Sequence, residues 1–184
     1  MKNQGTPITH DQLVDAAYLW LTKTQKCSFA FKELRSFALS GEQPDCFGFK
    51  NSLPGTILCE CKASRADFLA DAKKKFRKNP ELGAGSYRFY VCPPGLITVE
   101  DLPPSWGLVY VNPKTKKPRM IHGPKGNAWG FYGKEFLFTE RNLDTEYMMM
   151  ATALRRLNLR GHFPDIYKGV IVNNGANNEQ EVQK

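Results

Sequence analysis

The sequence predicts an α/β domain with a central mixed sheet covered on both faces by helices. Three observations carry this. Apolar residues recur at helical spacing in residues 10–24, 65–78 and 144–157, and two runs, "TILCECK" and "WGLVYV", have the length and alternation of buried strands. Pro and Gly punctuate the stretches between them. At 184 residues, with 41% hydrophobic and 24% charged side chains, the chain suits one ordinary globular domain, here expected over residues 1–169.

The first element starts behind Thr9, whose hydroxyl can cap a helix while Gln12 returns the bond in a capping box. Leu13, Ala16, Ala17, Trp20 and Leu21 supply its apolar face, which predicts a helix over 10–24. Two short strands are expected on either side of a turn at "SGEQ" (40–43), the second starting near Asp45. In "TILCECK", Ile57, Cys59 and Cys61 share one face, and Leu58, Glu60 and Lys62 the other. Ser64 then offers a helix cap with Asp67 at its third position. The run "RADFLADAKKKFRK" should bury Phe68, Leu69, Ala72 and Phe76 and turn Lys73, Lys74, Lys75, Arg77 and Lys78 outward.

"SYRFYVCP" and "WGLVYV" follow as strands, the former stopped by Pro93 and Pro94. Residues 113–130 read as a basic loop or long hairpin, and the last helix should show Tyr147, Met150, Ala151, Leu154 and Leu157 on one face. Residues 170–184 are polar and predict a frayed tail.

A net charge of +8 and a pI near 9.3 point to a polyanionic partner, because Lys and Arg beside phosphates release condensed counterions. No apolar run is long enough to span a membrane, and the start lacks the apolar core of a signal peptide, so a cytoplasmic location is expected. Five scattered cysteines without C-x-x-C spacing read as buried thiols rather than metal ligands. His10, His122 and His162 are isolated in sequence and read as ordinary surface or packing residues.

The chemistry concentrates in "PDCFGFKNSLPGTILCECK", residues 44–62. Glu60 and Lys62 leave the same face of a strand, about 7 Å apart along the backbone. A hairpin can bring Asp45 beside Glu60. Two carboxylates in a partly buried place repel each other, so a cation is expected between them, and oxygen ligands suit Mg2+ or Mn2+. Such an ion polarises a phosphoryl oxygen and activates water, while Lys62 offsets the charge that builds on the phosphate. The arrangement predicts phosphodiester hydrolysis.

Pro44-Asp45, fourteen residues, then Glu60-Cys61-Lys62 resembles the PD-(D/E)xK nuclease superfamily, whose restriction-endonuclease-like core is a mixed sheet flanked by helices. The continuation "ECKASRADFLADAKKK", with "YRFYVCPPGLI" and "LPPSWGLVYV", is similar to its MmcB-like branch of DNA-repair and phage-associated nucleases. The likeness covers residues 27–112. It departs in "DAKKKF", where Phe76 stands for the bulky residue, often Trp, that usually follows the lysines, and in Cys61, which replaces a more usual apolar residue. The resemblance implies that Asp45, Glu60 and the Cys61 backbone carbonyl bind the metal, that Lys62 assists the water, and that Glu33 adds a further acidic ligand.

The expected substrate is DNA, in repair, recombination or a phage-host conflict, within a bacterial or phage-infected cell. A homodimer is possible when both strands are cut. Ser64, Arg65, Lys73, Lys74, Lys75, Arg77 and Lys78 are the candidate DNA contacts on the basic helix. Lys116, Lys117 and Arg119 are those on the loop, where Lys114, Lys125 and a stacking Trp129 could add to the grip. The alternative is a non-catalytic nucleic-acid-binding or protein-interaction module on the same scaffold.

Overall fold

The computed structural model describes residues 7–36, 41–52, 55–126 and 129–169. The expected tail, 170–184, and part of the 40–43 turn lie outside the described residues. The chain divides into two compact units, Met1–Thr152 and Ala153–Lys184. In the second, the described part is the end of the last helix and a 3-10 turn, Phe163–Tyr167.

The first unit is a mixed α/β fold around one six-stranded sheet, with strands in sequence order: β1 (Phe29–Lys32), β2 (Cys46–Phe49), β3 (Thr56–Cys61), β4 (Tyr87–Cys92), β5 (Trp106–Val111) and β6 (Pro118–His122). β3, β4 and β5 run parallel and the other neighbours antiparallel. The parallel strands are buried at nearly every position, which is why their sequences read as continuous apolar runs. The basic stretch after β5 is a hairpin, with β6 as its second strand.

Helix α1 (His10–Leu19) starts with the expected Thr9–Gln12 capping box and continues as a π-helix over Trp20–Thr24. Its apolar residues cover one sheet face, against Ile57, Cys59, Cys61, Tyr87, Phe89 and Val91. Trp129 belongs to this core: it opens α4 (Trp129–Tyr132), meets Tyr87 edge-on at 5.0 Å, and is 4% exposed. The expectation that it stacks on a nucleic-acid strand is therefore corrected. All five cysteines are buried free thiols.

The opposite face is covered by α2 (Arg65–Asp71) and α3 (Lys75–Lys78), where a single helix was expected. The chain leaves helical geometry at Lys74, whose ψ is 145°. The break has a physical reason. In an unbroken helix, residues six apart diverge by about 120° around the axis, whereas here Asp71 and Arg77 both turn inward and bond each other. Ala72 and Leu69, expected inside, are exposed.

Helix α5 (Leu143–Leu159) spans the predicted segment but is rotated from its expected face. Thr145, Glu146 and Met149 are buried, while Tyr147, Met150, Leu154 and Leu157 are exposed. Glu146 sets the rotation: its carboxylate accepts bonds from the Thr56 hydroxyl, the Gly85 N–H and Arg141.

Candidate metal centre and the charge cluster beside it

At the end of the sheet where β3 finishes, three short-range devices converge. The capping box fixes His10 as the first residue of α1. Glu33 follows β1 in a left-handed conformation, φ 45°, which costs energy for a residue with a Cβ and aims its side chain away from the strand direction. Its N–H donates to the Asp45 carbonyl at 2.9 Å. Asp45 immediately precedes β2, and the pairing of Cys46 with Cys59 sets it opposite Glu60.

His10 Nε2 lies 3.5 Å from Glu33 Oε1 and 3.6 Å from Asp45 Oδ1. One donor atom from each of the three falls within 4.8 Å of the others, so His10, Glu33 and Asp45 could hold a metal ion. The fit is chemical as well as geometric. Two carboxylates with one imidazole suit a hard-to-borderline divalent ion such as Mn2+, and a cavity of about 300 Å³ lined by Glu33, Arg35, Gln43, Pro44 and Asp45 leaves room for its other ligands. Burial, reinforced by the Glu60 charge, pushes the Asp45 carboxyl up to about 6. The Cys61 N–H, which donates to Asp45 Oδ2 at 2.6 Å, and the Lys62 and His10 charges act in the opposite direction.

This corrects the reading of His10, which sequence isolation had set aside. Its partners lie 23 and 35 residues away, so no local motif exposes it. The one available signal was the capping box, which pins His10 at the helix N-terminus, where carboxylates are favoured neighbours.

Glu60 and Lys62 sit on the other side of this corner, both buried. Lys62 Nζ lies 2.9 Å from Glu60 Oε2 and 3.5 Å from Asp71 Oδ1. Arg77 reaches into the same place, with Nη2 2.8 Å from Glu60 Oε1, Nη1 2.6 Å from Glu42 Oε1 and Nε 2.8 Å from Asp71 Oδ2. Lys74 Nζ and the Tyr90 hydroxyl complete Asp71 at 2.7 and 2.8 Å. Burial alone would raise Asp71, yet Arg77, then Lys62, hold its carboxyl well below the usual range. The cation that a sequence reading supplies to Glu60 as a metal is thus already present as a guanidinium.

Arg77 is accordingly not an outward DNA contact, as its place in a lysine-rich run suggested, but a buried hub stacked over Trp106 at 4.7 Å. Lys74 is exposed yet paired with Asp71, and Lys73, Lys75 and Lys78 are exposed. Ser64 accepts the Asp67 N–H as the cap of α2, and Arg65 is clamped to Asp101 by two bonds of 2.6 and 2.5 Å. Lys116 donates to Gln12 at 2.8 Å, while Lys117 and Arg119 are exposed on the β5–β6 hairpin. The site therefore brings together His10, Glu33 and Asp45, with Glu60, the Cys61 backbone and Lys62 adjoining; of the hairpin cations, Lys116 is tied to Gln12 on the first turn of α1.

No helix among the described residues is long and apolar enough to cross a membrane. No family model matches the chain, and no curated protein does. Among solved structures it is similar to the SPO1766 protein of unknown function from Silicibacter pomeroyi, with a TM-score of 0.53 at 18% identity over 92% of this chain and 99% of that one, a likeness of fold alone.

Proposed function

We propose that the protein is a divalent-metal-dependent nuclease of the PD-(D/E)xK superfamily, with a restriction-endonuclease-like core, hydrolysing phosphodiester bonds in DNA. The observation that carries this reading is the corner itself. A carboxylate-rich cluster at Asp45 that could hold a metal ion adjoins the end of β3, where Glu60 and Cys61 are followed by Lys62. Asp45 and Glu33 would hold Mg2+ or Mn2+ with His10, and the Cys61 carbonyl and Glu60 lie on the adjoining strand. The ion would supply Lewis-acid polarisation of the phosphate and a more acidic bound water. Lys62 carries the positive charge that would stabilise the phosphate as charge builds there. The exposed Lys73, Lys75 and Lys78 would add sequence-independent attraction to the backbone.

One observation favours the second reading, a nucleic-acid-binding module without catalysis: Glu60 is already paired by Arg77 and Lys62. The two readings part in a cleavage assay on single-stranded, duplex, flapped and four-way-junction DNA with Mg2+, Mn2+ or EDTA. A nuclease cuts only with metal and loses cutting in Asp45→Asn and Lys62→Ala while still binding. Binding without cutting under every metal selects the module.

A further inference from the structure

The rotation that Glu146 imposes on α5 turns an ordered apolar stripe to solvent. Leu143, Tyr147, Met150, Leu154 and Leu157 are between 37 and 66% exposed. They follow each other at spacings of four, three, four and three residues along one continuous helix, Leu143–Leu159. At about 100° per residue the five fall within an arc of about 80°. A stripe this narrow, repeating every three and four residues, is the seam of a coiled coil rather than the broader face by which a helix covers a sheet. Its complement is a second helix with the same repeat.

The flanks of the seam select that helix. Asp144 and Arg155, both exposed, are eleven residues apart and so stand only about 20° from each other, on the same side of the seam. When two copies meet about a two-fold axis perpendicular to the helices, each flank faces itself with the chain direction reversed. Asp144 at the start of one helix then stands beside Arg155 near the end of the other, twice over. A parallel pair would instead bring the two acidic first turns, with Asp144 and Glu146, together. The helix dipoles favour the same antiparallel choice.

The area is sufficient. The five side chains leave roughly 400–500 Å² open on each copy, a size that on a monomer commonly marks an interaction site. Two such stripes bury roughly 900 Å² of apolar surface, which with the polar flanks that supply about 35–40% of an interface exceeds the about 1,200 Å² of a specific contact. Residues 170–184, the chain's own alternative, carry one apolar run, Val170 to Val172, and are otherwise almost wholly polar, which does not match five side chains spread over about four turns.

We propose that α5 is a homodimerisation element: two copies pair their seams antiparallel, with reciprocal Asp144–Arg155 ion pairs on one flank. This goes beyond the nuclease reading and does not depend on it.

The test is sedimentation equilibrium of the full chain, in EDTA, from micromolar to sub-millimolar concentration, for wild type, Leu154→Asp, Asp144→Arg, Arg155→Asp and the double charge reversal. We expect a reversible dimer in wild type, weakened by at least about ten-fold in Leu154→Asp, with an unchanged melting temperature at concentrations where wild type is monomeric. Each single charge reversal should weaken the dimer by about three-fold or more, and the double reversal should recover wild-type affinity to within about two-fold. That recovery separates a lost contact from a lost fold. A wild type that stays monomeric at every concentration overturns the proposal, as does a dimer indifferent to Leu154→Asp. A monomeric wild type whose Leu154→Asp variant melts lower gives the seam to residues 170–184 instead. A double reversal as weak as the single ones overturns the antiparallel pairing.

Discussion

The two charged clusters at the end of β3 are built from the same residue types and have opposite characters. Around Arg77, three carboxylates (Glu42, Glu60, Asp71) meet three cations (Arg77, Lys62, Lys74), and the centre is closed to water. Around Asp45, two carboxylates meet one histidine in an open corner. The first is complete without a ligand. The second is short of positive charge, and burial, reinforced by the Glu60 charge, pushes the Asp45 carboxyl up to about 6. A sequence motif that joins Asp45, Glu60 and Lys62 spans both clusters, and the tertiary structure separates what spacing alone lumps together.

The largest expected effect comes from removing the hub. Arg77→Met should leave three buried carboxylates without their shared cation and cost about 3–5 kcal/mol, read as a lowered urea midpoint. A loss below about 1 kcal/mol would mean that the cluster rearranges around Lys62 and that the contrast between the two centres is weaker than drawn.

At the open cluster the sign reverses when a ligand arrives. Mn2+ at a hundred times its dissociation constant should stabilise wild type by about 2.7 kcal/mol, seen as a rise in melting temperature. His10→Ala and Asp45→Asn should abolish most of that rise. An undiminished rise in His10→Ala would remove histidine from the ligand set.

Without metal, the Asp45 charge opposes folding. Its folded value, about 6, lies above its ordinary value of 3.8, so the folded state binds the proton more tightly than the unfolded one. The contribution of Asp45 to stability is therefore fullest below about pH 4, is lost as pH rises through about 6, and is flat well above that. Asp45→Asn should remove this decline and stabilise the metal-free protein at pH 8 by at most about 2–3 kcal/mol. Melting curves in EDTA between pH 4 and 8 read it directly, and a destabilised Asn variant at pH 8 would show that the carboxylate's bond from the Cys61 N–H outweighs its burial.

The smallest effect sharpens how His10 is placed. Thr9→Ala should cost about 1 kcal/mol and weaken Mn2+ binding by loosening the first turn of α1. Equal stability loss with unchanged Mn2+ affinity would mean that Glu33 and Asp45, rather than the cap, hold the imidazole.

Much of the scaffold was legible from local signals. The Thr9 and Ser64 caps and the strands at 57–61, 87–92 and 106–111 appear where periodicity and capping residues set them, because both are short-range physics. The helix break at Lys74 was not, because it follows from Asp71 and Arg77 turning inward to bond each other, a requirement that propensity does not contain. The rotation of α5 was hidden for a like reason: Glu146 is anchored by residues 90 and 61 positions upstream.

The sequence by itself determined the α/β class, the strand that carries Glu60 and Lys62, and the basic character of the chain, since alternation, capping and composition are properties of neighbours along the backbone. Only the tertiary structure decided that Arg77 is a buried hub, that Trp129 is core, and that His10 joins Glu33 and Asp45. The last depends on the pairing of β1 with β2 and the approach of α1, and the first on α2 and α3 meeting β3; both bring charges far apart in sequence within a few ångströms, where desolvation and Coulomb energy rather than local preference select the arrangement.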